Sequence, residues 1–171
     1  CDIIPAVTLD GVTVSSTHIR ALLERGEPEE AARFLGRPFA LTGPVRHGKG
    51  LGGSRLGAPT VNLVPAAGRL IPARVTVGET VYGAVTNVGV RPTVDEDGGV
   101  TVESHLLDQS VEVYGKGCRV EFLKVLRPER KFAGIDALRK QIARDADEAR
   151  AYFKAVSEAS YPGAGEKSCP N

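Results

Sequence analysis

The chain has no methionine and no tryptophan, and only 5% of its residues are aromatic. A platform for single-stranded nucleic acid needs aromatic rings along a basic groove. With few rings and a net charge of +1, the composition argues against one. The three cysteines, Cys1, Cys118 and Cys169, are odd in number and far apart, with no CxxC and no Cys/His pair. They fit free thiols in a reducing cytoplasm, and Cys118, opening an apolar run, reads as a small core residue. No apolar run is long enough to cross a bilayer. Residues 1–14 lack the basic start and continuous apolar stretch of a signal peptide. Methionine is missing even at position 1, which sets the expectation that a further segment precedes Cys1.

What is present suits one domain, or one domain with a partial neighbour. The 171 residues are 42% apolar and 25% charged, enough to bury a core without staples. Ile3-Ile4 and Val12–Val14 read as short strands around a turn at Asp10-Gly11. Ser15, Ser16 and Thr17 start a helix that carries Ile19, Leu22 and Leu23 on one face and stops at Gly26. A second helix begins at Pro28 and stops at Gly36, with Ala31, Ala32 and Leu35 as its expected buried residues. Strand-like runs follow at Phe39–Arg46, Ala58–Leu63, Arg74–Val77, Val81–Val88, Val100–Leu107 and Arg119–Leu126. Gly78, Asp97-Gly98-Gly99 and Gly115-Lys116-Gly117 punctuate them. Strands without intervening helices predict an antiparallel barrel or sandwich. A long amphipathic helix closes the chain, with Ile135, Leu138, Ile142, Ala149, Phe153 and Val156 at helical spacing. Residues 158–171 read as a loose tail.

The stretch Gly43–Gly50, GPVRHGKG, nearly spells a P-loop, but Gly50 stands where that motif needs Ser or Thr. A Walker loop also feeds a helix. Residues 50–59 hold four glycines and a proline, which excludes a helical run. The bland reading is a hairpin with a basic tip. The alternative is a different anion loop. Six glycines between Gly43 and Gly57 free backbone N–H groups to turn toward an anion, and Arg46, Lys49 and Arg55 add positive charge. Pro59-Thr60-Val61-Asn62 follows. On a strand Thr60 and Asn62 present a hydroxyl and an amide oxygen to one side, the hard donors that Mg²⁺ takes. By spacing alone the polar face of a barrel strand is the commoner explanation.

The segment HGKGLGGSRLGAPTVNL resembles the glycine loop and P-T-x-N signature of riboflavin kinases. YGAVTNVGVRPT (Tyr82–Thr93), VESHLLD (Val102–Asp108), VYGKGCRVEFLKVLRPERKF (Val113–Phe132) and DALRKQIARDADEAR (Asp136–Arg150) resemble the later blocks of that family, in order. VSSTHIRALLERGEPEEAARFLGRPF resembles the end of the adenylyltransferase module of bacterial bifunctional FAD synthetases. The resemblance implies a mainly β fold with flanking helices: a six-stranded antiparallel Greek-key barrel with a long C-terminal helix. It implies transfer of the ATP γ-phosphoryl group to the ribityl hydroxyl of riboflavin, giving FMN. It implies Thr60 and Asn62 as holders of Mg²⁺ and nucleotide, and Gly48, Lys49, Gly50 and Gly52 as the phosphate cover. Glu103 falls on the catalytic carboxylate, and Asn87 and Arg91 lie in a segment lining the nucleotide and flavin end. The implied organisation is an adenylyltransferase remnant and linker over 1–36, a kinase barrel with its helix over 37–157, and a flexible tail over 158–171.

Two departures stand against that pattern. RLIPARVTV passes from Pro72 and Ala73 straight to Arg74, where the family usually has a Gly-Val-Tyr strand, so either residues are absent from the numbering there or the strand of that barrel wall is truncated. The H-x-G-H motif of an adenylyltransferase is absent, and only Ser15–Arg20 match its phosphate-side loop. By strand alternation Glu103 shares a face with Thr101 and His105, opposite Val100, Val102 and Leu106. An exposed barrel position is its bland reading. A non-catalytic flavin- or nucleotide-binding barrel is the competing function, with small molecules rather than nucleic acid or membrane as partners in either case.

Overall fold

The computed structural model describes residues 5–46, 54–56, 68–90, 100–109 and 111–158. The first unit is a small hairpin and two helices. β1 (Thr8–Leu9) pairs with β2 (Val12–Thr13) across Asp10 and Gly11, both at positive φ. The N-terminal partner of β2 is therefore Thr8–Leu9; the expected piece Ile3-Ile4 lies outside the described residues. α1 (Ser16–Arg25) is capped by Ser15, whose Oγ accepts from the His18 amide at 3.2 Å. It ends at Gly26 in the left-handed region, where the Gly26 and Glu27 amides bond back to Leu23 and Leu22 carbonyls. α2 (Pro28–Leu35) starts and stops where Pro28 and Gly36 predict. Its buried residues are Pro28, Ala31 and Phe34; Ala32 and Leu35 are only half-buried, which corrects the expected face. The cause is the Phe34 ring, which meets His18 edge-on at 4.6 Å and joins Leu22 and Leu23 in one apolar cluster.

Seven antiparallel strands follow: β3 (Phe39–Arg46), β4 (Ser54–Leu56), β5 (Arg69–Val77), β6 (Thr80–Val90), β7 (Val100–Leu106), β8 (Gly117–Phe122) and β9 (Arg127–Pro128). Their order is β6-β7-β4-β3-β8-β5-β9, and β5 also pairs with β6. That pairing closes six of them into a ring, so the six-stranded antiparallel barrel is present. Of the two alternatives at Pro72, truncation is not seen: β5 is continuous through it and pairs with β6 along its whole length, from Arg69 to Val77. Proline is tolerated because the other edge of β5 breaks there. β9 pairs with Arg69–Leu70 and β8 with Ala73–Val77. The Pro72 carbonyl accepts from the Leu123 amide, so its missing N–H also falls on the broken edge. β4 arises inside the glycine-rich stretch that reads as loop in the sequence, while the expected strand Ala58–Leu63 lies outside the described residues.

Alternation then sorts the faces. Inside the barrel, Ile71, Ala73, Val75, Ala84, Val88, Val102, Val120 and Phe122 are buried together with Cys118, whose thiol burial pushes up to about 11. A thiol so raised is inert, in keeping with its expected core role. Thr86 and Ser104 also point inward and share a hydrogen bond of 2.8 Å. Outside, α3 (Ile135–Glu158) lies on β6, where Ala146 and Ala149 bury Val85 and Leu107 and Phe153 packs alongside. Ile135 and Ile142, expected in that seam, are 62% and 43% exposed; Gln141 and Asp145 take the inward positions instead. Among the described residues no helix is long and apolar enough to cross a membrane.

The helix sits close because Gly83 has no side chain: a Cβ there would lie 3.1 Å from the Phe153 ring. Gly83→Val should therefore cost about 1–3 kcal/mol by overpacking. Chemical denaturation of Gly83→Val, Phe153→Ala and the double variant checks this, and the double variant should lose less than the sum of the singles.

Candidate functional site

The registers align six residues, one per strand, into a row across the sheet. Arg46 pairs with Arg55, Arg55 with Glu103, Glu103 with Asn87, Asn87 with Leu70, and Leu70 with Arg127. Cross-strand partners share a face at about 4.5–5.5 Å between Cα atoms. For Asn87 and Glu103 this is the outer face: Asn87 stands two residues from Val85, which packs on α3, while Thr86 and Ser104 point inward. The sequence-expected Glu103 and Asn87 are thus brought side by side, with Glu103 half-buried. His105 lies on the same face and is exposed. Gly48, Lys49, Gly50, Gly52, Thr60, Asn62 and Arg91 lie outside the described residues.

Asn87 is held from one end only. Its Nδ2 donates to Glu129 Oε1 at 3.3 Å, and its Oδ1 is buried without a hydrogen-bond partner. Glu129 is itself placed by its backbone amide, which donates to the Gly68 carbonyl at 2.7 Å. Next in the row, Arg127 forks onto Asp145 of α3 at 2.8 and 2.6 Å. Gln141 donates to the same carboxylate at 2.8 Å and accepts from Arg130. The Phe132 ring lies 5.8 Å from the Arg127 guanidinium and 5.1 Å from that of Arg130. Burial alone pushes the Asp145 carboxyl up, but the Arg127 and Gln141 hydrogen bonds and the two guanidinium charges outweigh it, leaving it below the ordinary aspartate value. Sequence reading missed Glu129 and Asp145 altogether. It took Arg55 only as loop charge, and the register puts that residue directly opposite Glu103.

Near the β5–β6 turn lies a cavity of about 680 Å³ lined by Val77, Thr80, Tyr82, Val113 and Lys116 among others. Its wall is tied to the end of β3: the Val45 amide donates to the Lys116 carbonyl, and Gly115 donates to Val45. The chain leaves β3 at Arg46 directly into the glycine-rich stretch. The cavity therefore adjoins the end of β3, while Glu103 and Asn87 stand two and three strands along the row from Arg46. Among the described residues no three His, Cys, Asp or Glu side chains gather as a metal cluster.

The Flavokinase (riboflavin kinase) family model matches residues 35–153. The bifunctional riboflavin kinase/FMN adenylyltransferase of Pseudomonas fluorescens is 40% identical over 151 residues, covering 85% of this chain and 48% of that protein. The chain thus spans about half the length of the curated relatives it matches. In structure it is similar to a macrolide-efflux protein from Streptococcus pneumoniae, with a TM-score of 0.78 and 28% identity over 86% of this chain and 50% of that one. It is also similar to riboflavin kinase from Trypanosoma brucei, with a TM-score of 0.58 over 78% of this chain and 91% of that one. At 19% identity that second likeness is one of fold.

The Arg127–Asp145 fork makes stability depend on acid. Because the folded state holds the Asp145 carboxyl low, its contribution is present above pH 3.8, the ordinary aspartate value, and is lost as pH falls through the lower folded value. Asp145→Asn should cost toward the lower end of about 3–5 kcal/mol at neutral pH, because Arg127 keeps 17% of its side chain exposed. Thermal melts of both proteins across pH should show that gap narrowing below pH 3.8 and constant above it.

Proposed function

The chain belongs to the riboflavin kinase family, and from that membership we propose that its barrel transfers the γ-phosphoryl group of ATP to the terminal ribityl hydroxyl of riboflavin, giving FMN and ADP. The observation that carries the reading is the Glu103–Asn87 pair, set on one face next to β4, the strand within the glycine-rich stretch. Glu103 accepts the proton of the attacking hydroxyl, whose oxygen forms the bond to phosphorus as the bond to ADP breaks. A primary alcohol is a weak nucleophile at neutral pH, so a positioned carboxylate matters. The backbone N–H groups around Gly48, Lys49, Gly50 and Gly52 cover the phosphates, and phosphoryl transfer needs such positioning more than covalent help. The cavity beside Val45 offers the flat base of the nucleotide Val77 and Val113 for its ring and Thr80 and Lys116 for its edges.

Mg²⁺ fits this set of donors. Thr60 and Asn62 would hold it with the nucleotide, and the described part of the site offers one further hard oxygen, the buried Asn87 Oδ1 that has no hydrogen-bond partner. When bound, the ion supplies charge neutralisation on the phosphates. Arg91 belongs to the same reading, at the nucleotide and flavin end with Asn87. For the protein as a whole, the relatives support FMN adenylylation as a second activity, with residues 1–36 as the end of that module, 37–157 as the kinase and 158–171 as a tail. The reaction belongs to a reducing cytoplasm, where the free thiol of Cys118 persists. The chain alone should make no FAD, because it carries no H-x-G-H motif.

Chromatography of riboflavin incubated with Mg-ATP and this chain should show FMN and ADP, and none when Mg²⁺ is chelated. Glu103→Gln keeps the side chain's size but cannot take a proton, so turnover should fall by about 10²–10⁴ with binding of both substrates nearly unchanged. Riboflavin binding without FMN formation by the unaltered chain would favour a non-catalytic flavin barrel. Near-normal turnover in Glu103→Gln would remove the base assignment.

A further inference from the structure

The chain leaves β7 through a residue in an uncommon conformation. Asp108 has φ 57°, and among the described non-glycine residues only Asp10 shares that region. Aspartate tolerates it better than most side chains do. Two contacts fasten the chain there. The Leu107 amide donates to the Gly83 carbonyl at 2.8 Å. The Asp108 carboxylate accepts a fork from Arg150 of α3, whose Nε lies 3.1 Å from each oxygen and whose Nη2 lies 2.7 Å from Oδ1. Arg150 is aimed in turn by Asp147, one turn back on the helix, which accepts from Nη1 at 2.8 Å. The helix is a fixed post at this point, because Ala149 is fully buried and Phe153 packs against Gly83.

A pair as exposed as Asp108 and Arg150 contributes little to folding. Its consequence lies in the chain that follows. Val111 stands three residues on, and three residues span at most about 11 Å. Val111, Glu112, Val113 and Lys116 are among the residues lining the cavity proposed above for the nucleotide base. The far end of this connection is tied to β3, where the Val45 amide donates to Lys116 and the Gly115 amide donates to Val45. At the near end the fork ties it to α3. A wall carried on a connection keeps its shape only if both ends are held by rigid elements. We propose that Arg150 is a positioning residue for the nucleotide: through Asp108 it fixes the start of the 111–116 wall, and with it the shape of the cavity that takes the base. The proposal rests on the riboflavin kinase reading of that cavity and adds to it a residue on α3 that acts on nucleotide affinity from outside the cavity.

Nucleotide affinity tests this apart from turnover. Mg-ADP is titrated by calorimetry, and riboflavin by flavin fluorescence, against the unaltered chain, Arg150→Ala, Asp108→Gly and the double variant. Glycine at 108 keeps the positive φ without strain and removes the carboxylate. Each single variant should weaken Mg-ADP by about 2- to 5-fold, the span of an exposed ion pair. The double variant should lose no more than either single, because both remove one contact. Riboflavin affinity without nucleotide should stay the same. Full Mg-ADP affinity in Asp108→Gly, or losses that multiply in the double variant, would overturn the proposal. So would an equal loss for riboflavin, the mark of a purely structural role, which melting temperatures measured alongside identify. Thr80→Trp fills the cavity and should abolish Mg-ADP binding. Retained binding there would take the nucleotide out of the cavity and overturn the proposal together with that reading. Abolished binding there, with both single variants unaffected, overturns the positioning role alone. Failure to form FMN while the losses in Mg-ADP affinity persist would overturn the kinase reading and leave the positioning role standing.

Discussion

Closure of the sheet through β5 is the constraint on which the site depends. β5 pairs with β6 on one edge and with β8 and β9 on the other, which joins the two ends of a sheet that would otherwise have free edges. Once closed, the ring leaves each residue only an inside or an outside, and a one-residue slip would exchange them. Val88 and Val102 must then be inside, and Asn87 and Glu103 outside, opposite one another. A carboxylate on an open, slippery sheet would have no fixed neighbour. Here its neighbours on both sides, Arg55 and Asn87, are set by the same ladders that bury the core.

α3 has a second fastening beyond its apolar contact with Val85, Leu107, Leu70, Leu126 and the surface of Gly83. The Arg127–Asp145 fork supplies it. A buried ion pair is a poor source of net stability, since desolvating both charges offsets most of their attraction. Its value lies in geometry: a planar guanidinium accepts a carboxylate in one orientation, and Gln141 fills the remaining acceptor position. The helix is thus fixed in rotation against β9. The segment that leaves β9 then delivers Glu129 to Asn87, so the helix fastening and the orientation of the amide rest on the same four residues of chain, Leu126 to Glu129.

Much of this is legible in the residues themselves. Ser15 and Gly26 bracket α1 because a side-chain acceptor and a residue free to adopt positive φ are what helix ends require. Glu103 and Asn87 could be nominated from the order of the family's motifs, and strand alternation puts Glu103 on the face opposite Val102, as the structure has it. Other features depend on partners remote in sequence. The strand reads as starting only at Arg74, after Pro72, because nothing local reveals that the opposite edge of β5 breaks at that residue. Ile135 and Ile142 read as buried because a hydrophobic period counts apolar residues. It cannot see that Asp145 and Gln141 have cationic partners on another element. Glu129 carries no local signal at all, and its role appears only when β9 is seen to pair with β5.

The measurement that bears most directly on the account is a crystal structure of the chain with Mg-ADP and riboflavin. The account predicts the terminal ribityl oxygen within about 2.6–3.2 Å of a Glu103 carboxylate oxygen, the reach of a general base. It also predicts the nucleotide base in the cavity beside Val45 and Lys116. A ribityl terminus directed away from the outer face of β6 and β7, with Glu103 facing only solvent, would contradict it.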